Sequence, residues 1–259
     1  MNSSQVTLED FLPALEAMLE TESDYCLVGG LAVGIWAEVF LTPEERTGFE
    51  LPMRSKDIDI RAAKADAMMF LKNLRERGYE IGTLCKRTPK DPTQAFPSIA
   101  IPIQLPNSKI KTTVEALSGM PALDSAQDGI VTTHGTAMRY GNIQVLDPCS
   151  LMICKLNAIK TRPPGESDND RKHATILSLA IPRFIEQSLE RNRKNQDPYH
   201  PKIDAQRLAG FLTKEPWKDL IPEHELDAML KGCHLVSGDE RSDGKQAGSH
   251  PKPNPKMGM

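Results

Sequence analysis

The sequence predicts an α/β (α+β) chain: a mixed sheet with flanking helices, followed by an all-helical C-terminal part. Three observations carry that expectation. Up to Leu146, short apolar runs of strand length alternate with amphipathic stretches of helical period. After Asp147-Pro148 only the helical period continues. From Val236 onward, "VSGDERSDGKQAGSHPKPNPKMGM" holds too few apolar residues to build a core. The expected division is therefore an α/β domain over 1–146, a helical domain over 147–235 and a disordered tail over 236–259.

Each element has its own warrant. "TLEDFLPALEAMLE" predicts a first helix, with Thr7 placed to cap it and Leu8, Phe11, Leu12, Leu15 and Leu19 on one face. Pro13 inside it predicts a kink or a later start. "YCLV" is a short buried strand ending at Gly29-Gly30, "LAVGIWAEVF" returns as a helix, and "LTPEERTGFELP" is a polar connection. Ser55 to Arg61 is a second strand, with Ile58 and Ile60 on one face and Asp57 and Asp59 on the other. A helix follows from Lys64 to Arg77, stopped by Gly78.

Further short strands are expected at Tyr79–Cys85, Ser98–Gln104, Ile110–Leu117, Ile130–His134 and Asn142–Leu146. "PCSLMICKLNAIK" starts the helical part, then comes the turn "TRPPGES". Helices then fit "DNDRKHATILSLAI", "RFIEQSLERNR", "DAQRLAGFLT" and "PEHELDAMLKGCH".

Composition narrows the function classes. The net charge of −3 is too small to argue for a nucleic-acid or membrane surface by itself. Its distribution is uneven: Met1–Glu50 holds ten acidic residues against one basic residue, Arg46, and Leu151–Asn195 holds nine basic against five acidic. That asymmetry suits a cleft receiving phosphates from one side, or simply helix faces of opposite sign. The five cysteines show no CxxC pair, and the six histidines are scattered, so neither a disulfide framework nor a His/Cys metal site is expected. The longest apolar run, Cys26 to Ala37, contains three glycines and is too short to span a bilayer. The N-terminus shows no signal-peptide pattern, and a cytoplasmic location is expected.

The chemistry concentrates between Cys26 and Ile60. Asp57 and Asp59, two apart on a strand, present carboxylates to one face about 7 Å apart along it. Such a pair repels unless a cation lies between them, and Mg²⁺ suits because it takes oxygen ligands and keeps places for phosphates. Glu115, in the apolar strand "KTTVEAL", is the natural third carboxylate. Gly29-Gly30 opens a helix, so bare N–H groups and the positive end of the dipole can face a phosphate. Alone, each piece has an ordinary explanation. A GG pair can be a tight turn, D-I-D-I a solvated strand, and Glu115 a partner of Lys109 or Lys111. Their conjunction, in this order, favours the metal.

These residues resemble the polymerase-β-like nucleotidyltransferase superfamily, whose pattern is an apolar-G-[GS] turn, D-h-[DE], and a later h-[DE]-h strand. Here those are Val28–Gly30, Asp57–Asp59 and Val114–Ala116, with Ser55 at the family's small-hydroxyl position. "VLDPCSLMICKLNAIKTR…DNDRKHATIL" is similar to a segment of AbiEii-type nucleotidyltransferases of abortive-infection and toxin–antitoxin systems. The chain departs from the pattern in a long Gly30-to-Asp57 spacing, in Arg54 one place nearer the aspartates, and in Asn169 where a lysine is commoner.

The resemblance implies a nucleotidyltransferase-type fold with its site between the two parts. It implies an enzyme moving a nucleoside monophosphate from an NTP to an acceptor hydroxyl. Asp57, Asp59 and Glu115 would be catalytic and would bind the metal, two Mg²⁺ or Mn²⁺ ions. Gly29, Gly30, Ser55, Lys155 and Arg162 would bind the nucleotide, the alternatives being an exposed helix lysine at 155 and a solvated loop side chain at 162. Asp170 is expected to cap a helix, and His173 to be structural or exposed. An RNA or tRNA acceptor and a cognate antitoxin follow from the toxin-like resemblance, and no membrane partner is expected. A small-molecule acceptor, a protein acceptor, a non-catalytic nucleotide- or partner-binding module and a purely structural role remain open.

Overall fold

The computed structural model describes residues 6–7, 9–11, 25–49, 54–87, 98–106, 109–120, 123, 137–140, 143–163, 165–194, 202–213 and 221–238. Its strands are β1 (Val6–Thr7), β2 (Cys26–Leu27), β3 (Arg54–Ser55), β4 (Asp57–Arg61), β5 (Glu80–Ile81), β6 (Cys85–Arg87), β7 (Ser98–Gln104), β8 (Lys111–Leu117), β9 (Ala137–Tyr140) and β10 (Ile143–Leu146). Its helices are α1 (Gly29–Phe40), α2 (Pro43–Gly48), α3 (Lys64–Glu76), α4 (Pro148–Thr161), α5 (Asp168–Arg193), α6 (Lys202–Leu212) and α7 (Glu223–Gly238). The fold class is the expected one: a mixed sheet with flanking helices, then helices alone among the described residues after Asp147.

The main sheet has eight strands in the order β5-β7-β8-β4-β2-β10-β9, with β6 sharing one side of β7 with β5. β4 and β8 pair in parallel, as do β2 and β10, and the other pairings are antiparallel. Alternation does the sorting: Ile58, Ile60, Val114 and Ala116 are buried, while Asp57, Asp59 and Glu115 stay half-buried on the opposite face.

Helix α1 is buried from Leu31 to Ala37. Its Trp36 indole donates to the Leu146 carbonyl at 2.8 Å. Trp36, Phe40 and Phe184 form an aromatic group with centroids 5.8 to 6.1 Å apart, joining α1 to α5. Asp147 caps α4, its Oδ1 accepting from the Ser150 N–H at 2.9 Å. Arg207 of α6 lies 3.1 Å from Asp204 and donates to the Ser150 hydroxyl at 3.4 Å, which ties α4 to α6. Burial first, then the neighbouring Asp204, push the Asp147 carboxyl well above the usual carboxylate range.

Several elements differ from expectation. The two helices expected on either side of Pro182 are one helix, α5. Its buried stripe, Ala174 to Leu189, runs unbroken past the proline, and that burial outweighs an internal proline's cost of about 3 kcal/mol. The connection after Leu41 holds a six-residue helix, α2, which Thr42 and Glu45 close in a capping box. Lys56 interrupts the strand expected over Ser55–Arg61, so β3 pairs with β1 and only β4 enters the main sheet. Thr7 lies in β1, residues 9–11 are helical, and the rest of the expected first helix lies outside the described residues, as does the strand expected at Ile130–His134. β9 was not foreseen. α7 runs on to Gly238, and the tail beyond it lies outside the described residues. Gly78 ends α3 as expected, at φ 83°, with the Tyr79 N–H reaching the Leu74 carbonyl at 3.1 Å. No helix among the described residues is long and apolar enough to cross a membrane.

Arg183 of α5 reaches back to the end of α1. It donates to the Phe40 carbonyl and makes a forked pair with Glu45 at 2.7 and 2.8 Å. The Arg183 hydrogen bond first, helped by Thr42 and opposed by burial, holds the Glu45 carboxyl down to about 2 from its usual 4.5. Because the folded value is depressed, this contribution is full above pH 4.5 and is lost as pH falls toward 2. Urea denaturation should show Arg183→Ala less stable by about 1 kcal/mol near neutral pH, a modest figure because both side chains are partly exposed. The difference between variant and wild type should shrink between pH 5 and pH 2.

Candidate metal and phosphate site

The parallel register of β4 and β8 sets Asp59 beside Glu115 and Asp57 beside Thr113. Side chains alternate identically on the two strands, so all three carboxylates emerge on one face. Each offers an oxygen, and these lie within 4.8 Å of one another. No ion is needed to bring them there, because the apolar partners Ile58, Ile60, Val114 and Ala116 fix the register from below. Burial first, then Asp57, push the Asp59 carboxyl up to about 7, with Glu115 adding to the effect and Lys155 and Arg162 opposing it. An all-oxygen donor set of half-buried carboxylates fits a hard divalent cation.

The β2–α1 turn closes over this cluster. The Val28 N–H donates to the Asp59 carbonyl at 2.9 Å, which places Gly29 directly against the Asp59 side chain. Gly29 has φ 70°, and a Cβ there would stand 2.0 Å from Asp59 Oδ2. Only glycine serves at this position, for both its conformation and its lack of volume. Helix α1 therefore starts beside the carboxylates with no acidic residue in its first turn. Ser55 Oγ approaches Asp57 Oδ1 at 3.4 Å, and Gly30 faces both Ser55 and His173.

On the helical side, Asp170 does not act as the expected helix cap. Ser167 holds the N-cap position of α5, and Asp170, buried in the first turn, binds Lys155 Nζ at 2.8 Å and Arg162 Nη1 at 2.5 Å. Its carboxylate thus gathers Lys155 from the middle of α4 and Arg162 from its C-cap, close enough to the triad that both act on Asp59. Lys155 is mostly buried, whereas the Arg162 side chain is about half exposed.

His173 takes the structural one of its two expected places. It is 9% exposed and lies against the first turn of α1: a Cβ on Gly30 would meet its Cε1 at 3.2 Å. Burial first, then Lys155, Lys172 and Arg162, push its imidazole down to about 2, so it stays neutral. Its Nδ1 is buried with no hydrogen-bond partner among the described residues. The only hint in sequence was its position three residues after Asp170, one turn along the same helix face.

The structure thus brings together Gly29 and Gly30 of the β2–α1 turn, Ser55 of β3, Asp57 and Asp59 of β4 and Glu115 of β8, with Lys155, Arg162 and Asp170 facing them. No family model matches the chain, and no curated protein matches it either. Two solved Helicobacter pylori structures are similar to it, each at a TM-score of 0.38 and 12% identity over 90% of this chain. One is named JHP933, with 93% of its own chain covered, and the other is a candidate nucleotidyltransferase, with 94% covered.

The wedge between Gly29 and Asp59 can be tested directly. Gly29→Ala should lower the melting temperature and weaken Mn²⁺ binding by at least about tenfold in calorimetry, because the new methyl displaces a donor carboxylate. Gly30→Ala meets only the edge of a side-chain ring and should cost less. Equal melting of Gly29→Ala and wild type would contradict the wedge.

Proposed function

We propose that the chain is a metal-dependent nucleotidyltransferase. The observation that carries this reading is the convergence of Asp57, Asp59 and Glu115 beneath the open N-terminus of α1. A module that merely binds nucleotide has no need of a third carboxylate on that face. Asp57, Asp59 and Glu115 would hold Mg²⁺, with Mn²⁺ as a substitute and a two-ion site as the expected arrangement. Bound ions would offset phosphate charge and align the attacking and leaving oxygens of an in-line displacement.

The remaining steps belong to the chain's own residues. The N–H groups at Gly29 and Gly30 seat phosphate oxygens against the helix dipole. Ser55 borders the same turn and can donate its hydroxyl to the ligand. Lys155 and Arg162, held by Asp170, counter the triphosphate charge from the opposite side. The acceptor oxygen attacks the α-phosphorus and its proton passes to Glu115. The bond from the α-phosphorus to the bridging oxygen breaks, and pyrophosphate leaves with that electron pair. Neutral His173 packs against the seat of the phosphates without adding charge.

For the acceptor we favour an RNA hydroxyl, such as a tRNA 3′ end, which suits the AbiEii-type likeness and the basic residues after Leu151. That likeness also makes a cognate antitoxin a partner worth seeking. A small-molecule hydroxyl is the alternative acceptor and suits the near-neutral overall charge.

The test incubates wild type and Asp57→Asn with Mg²⁺, each labelled NTP in turn, and total cellular RNA. Wild type should transfer label to RNA. Asp57→Asn should lose at least about a thousandfold in rate, as expected when several kcal/mol of charge stabilisation are removed. The variant should melt no lower than wild type without added metal, because the substitution relieves repulsion in the cluster. Full activity in Asp57→Asn would refute the assignment.

A further inference from the structure

One buried hydroxyl beside the triad has no part in the roles given above. Ser98 opens β7, and the antiparallel register with β8 sets Ala100 opposite Glu115 and Ser98 opposite Leu117. Ser98 is therefore a diagonal neighbour of Glu115 on the same face of the sheet. It is 7% exposed, and its hydroxyl donates to Glu115 Oε1 at 2.5 Å. The strand itself does not call for serine here, because β7 pairs through its backbone and its other buried positions are Ala100, Ile101 and Ile103.

We propose that Ser98 is a positioning residue that sets which cation the Asp57–Asp59–Glu115 site prefers, a proposal that rests on the metal-site reading above. The hydroxyl fixes the plane of the Glu115 carboxylate and engages Oε1. Glu115 then approaches a cation as a one-oxygen ligand rather than clasping it with both oxygens. Ca²⁺ takes six to eight oxygens at 2.3–2.6 Å and readily uses bidentate carboxylates. Mg²⁺ demands near-octahedral geometry at 2.0–2.1 Å and keeps several places for water or phosphate. Three carboxylates giving one oxygen each match the second requirement and fall short of the first. Gly29 restrains Asp59 from the other side of the cluster, so neither acid can swing freely to enlarge the site.

The alternative is that Ser98 merely finds a partner for a buried hydroxyl. The two readings separate on selectivity, which a purely structural hydrogen bond would not move. The experiment titrates the full chain and its Ser98→Ala and Ser98→Thr variants with Mn²⁺ alone by calorimetry. Mg²⁺ and Ca²⁺ affinities are then obtained by competition, with melting curves recorded alongside. Wild type should prefer Mn²⁺ and Mg²⁺ to Ca²⁺. Ser98→Ala should narrow that preference by about tenfold or more, the usual scale for losing a hydrogen bond to a metal ligand, with Ca²⁺ affinity unchanged or tighter. Ser98→Thr, which keeps the hydroxyl, should keep the preference. Ser98→Ala removes a single oxygen and carries the test alone if the threonine methyl does not fit the strand. Equal weakening of all three cations, or no change in any, would overturn the proposal while the metal site stands. Absence of cation binding by folded wild type would bring down the metal-site reading and the proposal with it.

Discussion

Carboxylates whose oxygens lie within 4.8 Å repel one another by roughly 3 kcal/mol a pair at an effective dielectric of about 20, and this chain holds three of them on one sheet face. What opposes the repulsion is the register of β4 on β8. Ile58, Ile60, Val114 and Ala116 are buried almost completely on the far side, and shifting either strand by one residue would turn them toward water. The apolar layer thus enforces an unfavourable arrangement of charge above it. Burial of Asp59 adds to the cost, as its raised pKa reflects.

The neighbours of the cluster make sense in that light. Gly29 gives up its side chain so that Asp59 can occupy the space, and in doing so leaves the first turn of α1 bare beside the acids. Ser98 and Ser55 approach Glu115 and Asp57 with hydroxyls. Asp170 collects Lys155 and Arg162 and sets positive charge within reach of Asp59. Positive charge thus stands beside the triad, an arrangement suited to a ligand that is itself anionic.

Much of this was legible in the chain, because period-two alternation and a glycine pair are local signals. Asp57 and Asp59 declared their common face through Ile58 and Ile60, and Glu115 stood out between Val114 and Ala116. What could not be read depends on contacts between distant segments. Asp170 has the spacing of a capping residue, and only the packing of α4 on α5 shows that it serves Lys155 and Arg162 instead. Ser98 is one more serine at a strand end until the β7–β8 register sets it beside Glu115. His173 has no local mark of burial, and Pro182 reads as a break that tertiary packing overrides.

The same topology governs when the site comes into being. The bond from Trp36 to Leu146 spans 110 residues, and that from Arg183 to Phe40 spans 143. Such long loops make for slow folding, since their closure entropy must be met before the contacts that reward it can form. On a ribosome, synthesis delivers Asp57 and Asp59 well before Glu115, and α5 later still. The early aspartates then stand as a hydrated strand with no third ligand and no cations opposite. The full arrangement of three carboxylates facing Lys155 and Arg162 is therefore complete only late, when α5 brings Asp170 to those two cations.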